Sequence, residues 1–353
     1  MAINNKNKLM TFPRVGRFII IFFSIAFLIT AAYSYKLYTY IFNENVKGSP
    51  VIILPEGTTF SQVIDTLKAN DALINYKAFE WVSKKKEYPD NIKPGRYHLT
   101  AEMNTNEIVN LLRAGIQEPL DVTFNNVRFK EDLAGKVSRY IQADSLSLVN
   151  LFTNNEKIEE LGFTPETFNA MFIPNTYEFY WTTTAEEFAD RIKKEYEKFW
   201  NEGRREKADK MGLTPVEVST LASIVREETN KRDELARVAG VYINRLTRGI
   251  PLQADPTVKF AAGNPAINRV LNSHLKIDSP YNTYMYTGLP PGPINFPDIE
   301  AIDAVLNFED HDYLYMCARE DFSGYHNFAS TLSEHNQNAA RYRAALDKEK
   351  IFE

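Results

Sequence analysis

The chain of 353 residues has one cysteine, five histidines and no surplus of positive charge. A lone Cys317 excludes an intramolecular disulfide and a multi-cysteine metal site. It lies in the apolar run Tyr313 to Ala318, where a buried strand thiol is the expectation and a nucleophile is not. No two histidines stand at metal-ligand spacing beside a carboxylate, as in His-Glu-x-x-His, so neither a zinc centre nor any cofactor is expected. There is no Gly-x-Ser-x-Gly elbow and no glycine-rich loop to cradle a phosphate. The net charge of −5 does not suit phosphate neutralisation, and the 19 Tyr and 23 Phe are not gathered into a basic-aromatic cluster, so nucleic acid is not an expected partner. A hydrophobic content of 44% with 25% charged residues excludes disorder, and the length calls for two or three domains.

Long apolar runs are also scarce, with a single exception at the N-terminus. Lys6, Lys8, Arg14 and Arg17 stand there without an acidic residue, and Phe18 to Tyr33 then runs free of charge. Tyr33, Tyr35, Tyr38 and Tyr40 suit an aromatic belt, and Lys36 can snorkel to the interface. We expect a cytoplasmic tail at 1–17 and a retained transmembrane signal anchor at 18–40. The chain would cross the cytoplasmic (inner) membrane once, with all that follows outside, in the periplasm. A cleaved signal peptide is the rival, with Thr30-Ala31-Ala32 as a tolerable cleavage site, but the apolar run is long for one.

A small α+β module is expected over 46–118. Val51 to Leu54 reads as a strand, Pro55-Glu56-Gly57 as a turn, and Phe60, Ile64 and Leu67 as one helix face. Lys93-Pro94-Gly95 then turns into a strand through Tyr97 and Leu99. Asn104 with Glu107 caps a second helix, which Gly115 ends. The stretch from Gly57 to Leu67 resembles the LysM type of glycan-binding module; a spacer is the alternative. Residues 119–210 form a connecting or substrate subdomain, with helices around Leu133 to Ile141 and from Thr184, where Thr184 and Glu187 make a capping box. The alternating charges from Lys193 to Lys210 read as a solvated helix face and a following loop. Phe172 to Tyr177 either lines a groove or makes a corner.

The segment 211–353 carries the chemistry. Thr214-Pro215-Val216-Glu217 is a complete helix start, and the apolar stripe Val218, Leu221, Ala222, Val225 has Glu228 as its next member. Glu228 therefore faces inward or into a cleft. Burial raises the pKa of a carboxyl group and keeps it available as a proton donor, though a structural ion pair would also explain an inward Glu. Glu227 points about 100° away and reads as solvated. A second helix from Asp233 to Arg248 buries Leu235, Val238, Ala239, Tyr242 and Leu246, while Asn244 and Arg245 are free to face either way. Pro256 interrupts regular structure in Leu252 to Thr257. The Pro/Gly-rich stretch from Gly288 to Ile294 is a stiff loop, suited to holding sugar-binding side chains or to a structural role. Tyr313 to Ala318 pairs with Tyr325 to Phe328 across a turn at Asp321 to Gly324, and a last helix starts near Ser333.

Taken in order, Leu221 to Thr229, Val241 to Leu246, Leu252 to Val258, Tyr281 to Tyr284 and Gly288 to Ile294 resemble the endolytic murein transglycosylase family (MltG, YceG-like). The likeness extends through Phe172 to Tyr177 and from His326 to Asn336. It implies an anchored α+β protein with a larger mixed α+β catalytic domain at 211–353. In that family the catalytic Glu stands directly before the Thr of the first motif, which carries over to Glu228; Arg226 and Glu227 depart from the acidic-basic order before it. The resemblance implies cleavage between N-acetylmuramic acid and N-acetylglucosamine with formation of 1,6-anhydro ends, terminating nascent strands beside penicillin-binding synthases. Candidate contacts to the glycan are Gln253, Asp255, Thr257, Asn282, Tyr284 and Asn327. Two alternatives stay open: an inert peptidoglycan-binding scaffold, and a hydrolytic muramidase with Asp255 as second carboxylate.

Overall fold

The computed structural model describes residues 14–349 apart from 126, 265, 266, 268 and 269; Lys6 and Lys8 of the expected tail lie outside them. Helix α1 (Arg14–Phe42) contains a candidate span, Gly16–Phe42, whose most apolar 18 residues have a mean hydropathy of 2.1 and no buried share. Its 27 residues rise about 40 Å, enough to cross a hydrocarbon layer of roughly 30 Å. Phe18, Phe22 and Phe27 stand fully outward along it.

One compact unit runs to Pro119 and takes in Tyr180–Thr182. After α1 it contains β1 (Val51–Leu54), α2 (Phe60–Ala69), α3 (Tyr76–Lys85), β2 (Gly95–His98) and α4 (Thr105–Ala114). The strands pair antiparallel, Val51 opposite His98 and Leu54 opposite Gly95. Thr59 with Gln62 and Asn104 with Glu107 close capping boxes on α2 and α4, and Gly115 ends α4 at φ 71°. Helix α3 was not expected, because its charged end hides a short stripe of Ala78, Phe79 and Val82. Asn75 caps it by accepting from the Ala78 N–H at 3.0 Å. The order is thus β-α-α-β-α, one helix more than the sequence reading, around Phe79, Tyr88, Tyr97 and Leu67.

The second unit comprises Leu120–Phe179 and Thr183–Glu353. Its first elements are β3 (Leu120–Phe124), α5 (Lys130–Val137), α6 (Ser145–Thr153), α7 (Asn155–Glu160) and β4 (Asn175–Phe179). Then follow α8 (Ala185–Phe199), α9 (Glu202–Lys210), α10 (Pro215–Glu228), α11 (Leu235–Thr247), α12 (Asp255–Ala261) and α13 (Ile299–Leu306). The unit closes with β5 (Tyr315–Ala318), β6 (His326–Ala329) and α14 (Leu332–Lys348). β3 pairs with β4 and β5 with β6, both antiparallel. The charges up to Lys210 lie on a second helix, α9, capped by Asn201, and not on a loop.

One hydrophobic core extends from Val122 to Leu306, so the expected division at residue 210 runs through packed interior. Phe172 meets Phe152 and Phe168 edge-on at 5.1 and 5.0 Å. Truncating one such ring to Ala costs about 3–5 kcal/mol. Helix α10 passes through this core with every residue from Val218 to Val225 buried, all round and not along one stripe. Its hydroxyls are accommodated by bonding back along the helix: Ser219 to the Pro215 carbonyl at 2.9 Å, Thr220 to Val216 at 2.8 Å and Ser223 to Thr220 at 2.7 Å.

Candidate active site

Helix α10 emerges from the core at its last turn, and Glu228 is its final residue. Thr214 and Glu217 fix the other end through a closed capping box, so the phase of the helix, and with it the direction of Glu228, is set from Thr214, fourteen residues earlier. The Pro/Gly-rich loop secures the emerging end. Ile294 N–H donates to the Ser223 hydroxyl at 3.0 Å, and Asn295 Nδ2 donates to the Ser223 carbonyl at 3.2 Å and to Glu227 Oε1 at 2.9 Å. A side chain at Gly292 would place its Cβ 1.9 Å from the Glu166 carbonyl oxygen, so only glycine permits this approach. The loop's stiffness serves packing against α10.

Glu228 is half-buried and looks into a cavity of about 250 Å³. Tyr242, from α11, donates to its Oε1 at 2.7 Å. Burial, the largest influence, pushes the carboxyl pKa up to about 7; the Tyr242 hydrogen bond opposes this, the charge of Asp255 adds to it, Lys259 opposes it and Glu227 adds a little. The position at a helix C-terminus, where unpaired carbonyls carry partial negative charge, works in the same direction as burial. The phenol of Tyr242, itself buried beside that carboxylate, is raised well above its ordinary value.

Arg245, Gln253, Asp255, Tyr284 and His326 complete the polar lining. Asp255 opens α12 with Pro256 in its first turn, so Pro256 begins a helix where the sequence suggested only an interruption. Tyr284 donates to Asp255 Oδ1 at 2.6 Å. Gln253 takes φ 53°, a left-handed conformation that side chains rarely adopt, and its Oε1 accepts from Arg245 at 3.2 Å. On the far side of α12 a second hollow of about 300 Å³ is walled by Phe129, Pro256, Phe260 and Ile294, with Lys259 at its edge.

Three expected contacts lie elsewhere. Thr257 is fully buried: its hydroxyl bonds the Ala254 carbonyl at 2.7 Å and lies 2.8 Å from that of Thr283. Asn282 is also fully buried, donating to the Leu275 and Ile277 carbonyls at 3.0 and 2.8 Å. Both hold the loops that carry Gln253 and Tyr284, and neither reaches the cavity. Asn327 is turned away by strand alternation and donates to Glu320 at 2.7 Å, while its neighbour His326 faces the cavity. Glu227, expected in solvent, is instead paired with Arg128 and bonded to Asn295.

Tyr242, Arg245 and His326 are cavity residues that the sequence left unassigned. Tyr242 was legible as an inward position of α11, one turn-spacing from Val238, but nothing marked its hydroxyl as the partner of Glu228. Arg245 is buried because Nε donates to the Leu314 carbonyl at 2.6 Å and Nη1 to those of Pro251 and Leu252 at 2.9 Å each. His326 is held by buried Glu234, which accepts from its backbone N–H at 3.0 Å and lies 3.0 Å from its Nδ1.

The profile of the YceG-like family matches residues 52–341. An endolytic murein transglycosylase of Bacillus subtilis (strain 168) is 29% identical over 314 residues, which cover 85% of this chain and 86% of that protein. One from Streptococcus pneumoniae serotype 2 is 26% identical, with 93% of this chain and 65% of that longer protein covered. A crystal structure of a yceG-like protein from Listeria monocytogenes aligns with a TM-score of 0.53 and 26% identity, covering 82% of this chain and 99% of that one.

Proposed function

The chain belongs to the YceG-like family, and on that footing we propose that it is an endolytic murein transglycosylase with Glu228 as its acid. The observation that carries the assignment of the acid is a half-buried carboxyl with its pKa pushed up to about 7, facing a polar cavity at the end of a rigid helix. Such a group is protonated often enough near neutrality to donate, and basic enough afterwards to accept.

In the reaction, the Glu228 carboxyl gives its proton to the glycosidic oxygen between N-acetylmuramic acid and N-acetylglucosamine as the bond from C1 to that oxygen breaks. The C6 hydroxyl oxygen of the same muramoyl ring bonds to C1 and closes the 1,6-anhydro ring. Its proton passes to the Glu228 carboxylate, which restores the acid. No water is consumed and no second carboxylate is required, unlike ordinary glycoside hydrolysis. Tyr242 steadies the carboxylate between the two proton transfers. Asp255, Tyr284 and Gln253 face the sugars, with Asp255 placed to favour the positive charge that develops at C1. The aromatic walls of the second hollow suit the apolar face of a further sugar in the strand.

Helix α1 serves as the anchor, with its basic flank in the cytoplasm and the catalytic unit outside, where it meets nascent strands made by penicillin-binding synthases. The N-terminal module, whose stretch from Gly57 to Leu67 resembles LysM, provides a further glycan contact. Mass spectrometry of digested murein tests the reaction directly. Anhydro ends, lighter than reducing ends by one water, are expected from the wild type and none from Glu228→Gln. Reducing ends would make the protein a muramidase with Asp255 as second carboxylate, and unchanged strands an inert scaffold.

A further inference from the structure

The other flank of the α10 terminus carries a groove of about 760 Å³ for which the cleavage step has no use. That volume lies within the range of small-ligand sites, roughly 300–1,000 Å³. Its walls balance three arginines, Arg128, Arg226 and Arg232, against Glu227, Asp298 and Glu300. Arg226 Nη2 lies 2.8 Å from Asp298 and 3.3 Å from Glu300, and Arg232 Nε lies 3.1 Å from Glu300. The Arg232 side chain is 80% exposed, so its ion pair is weak and exchangeable. Lining the same groove is Asn295, only 5% exposed, whose Nδ2 is committed to Ser223 and Glu227 while its Oδ1 receives no hydrogen bond. That unmet acceptor is sealed inside the packing behind the groove wall, so the charged side chains are the groups that a ligand would meet.

We propose that this groove receives the peptide stem of the muramoyl sugar, an inference that rests on the reaction above and adds a specificity site to it. The chemistry of the walls is that of an acyl peptide: arginines for its carboxylates, and Asp298 with Glu300 for a side-chain ammonium. The position fits as well. Glu227 is the residue before the acid, their Cα atoms are about 3.8 Å apart, and their side chains leave the helix about 100° apart. The stem departs from C3 of the ring whose C1 is attacked, so an acid poised at that ring has the groove beside it. The second hollow and the groove have Arg128 and Glu227 in common.

The test compares full-length wild type and Arg232→Glu on peptide-bearing strands and on the same strands stripped by an amidase. The variant is expected to lose about tenfold in kcat/KM on peptide-bearing strands. On stripped strands it stays within about twofold. Equal losses on both substrates, or none on either, would overturn the proposal. A second measurement separates it from the cleavage reaction: anisotropy of a fluorescent muramoyl tripeptide bound to Glu228→Gln, with and without Arg232→Glu. Weaker binding in the double variant supports the groove whatever the product chemistry proves to be, and binding that ignores either the peptide or Arg232 refutes it.

Discussion

Glu227 and Glu228 are consecutive residues on one helix end, yet they lie in opposite electrostatic worlds. Glu228 faces a cavity in which no cation pairs with it and a phenol is its only hydrogen-bond donor among the described residues, so burial decides and its pKa rises. Glu227 is clasped by Arg128 and Asn295 in a groove where charges balance. A turn of 100° thus separates a carboxyl able to act as an acid from one that organises a surface. The lesson is that neighbouring identical residues acquire different chemistry from what the rest of the fold brings to each.

The strongest way to sharpen this contrast is to neutralise each carboxyl in turn. Glu228→Gln is expected to lower kcat on murein by about 10²–10⁴-fold, the usual contribution of a positioned general acid, as read by release of anhydro-muropeptides. Wild-type activity should itself decline tenfold per pH unit above about pH 7, as the acid loses its proton.

The same substitution probes stability. The folded pKa of about 7 lies above the ordinary 4.5, so the folded state binds this proton more tightly and the group's favourable contribution is complete below pH 4.5. That contribution is lost as pH rises from 4.5 through 7. Glu228→Gln should therefore unfold less readily than wild type at pH 8 by about 3 kcal/mol, with the difference vanishing near pH 4. Urea titrations at the two pH values measure it, and equal gaps at both would contradict a buried carboxyl.

Glu227→Gln should cost less than about tenfold in activity, because a partly exposed ion pair contributes little. A loss as large as that of Glu228→Gln would erase the distinction between the two flanks. The smallest effects are displacements of the alkaline limb of the pH–rate profile. Asp255→Asn removes a charge that raises the Glu228 pKa and should move the limb down, whereas Tyr242→Phe removes a bond that lowers it and should move the limb up. Shifts of the same sign would show that the cavity is not the source of the perturbation.

Much of the site could be read along the chain where the information is local. The capping box at Thr214, the inward position of Glu228 and the hairpin carrying His326 all follow from spacing alone. What could not be read depends on contacts between distant segments. Thr257 and Asn282 share the polar character of Gln253 and Tyr284, and only the folding of their loops onto Thr283 and the Leu275 and Ile277 carbonyls separates scaffold from surface. Asn327 was misplaced by one residue on a strand, which is enough to reverse its face. Glu227 looked solvated because its partners, Arg128 and Asn295, lie about 100 and 68 residues away.

By itself the sequence determined an apolar helix at the N-terminus, the start and phase of α10, and the presence of an acid on its inner side. These are properties of periodicity and capping, fixed by backbone geometry over a few residues. The tertiary structure alone decided that α10 is buried on all sides, that Tyr242 meets Glu228, and that the next carboxyl belongs to a charged groove. Desolvation and charge pairing act through space, and their strength depends on neighbours that the order of residues does not name.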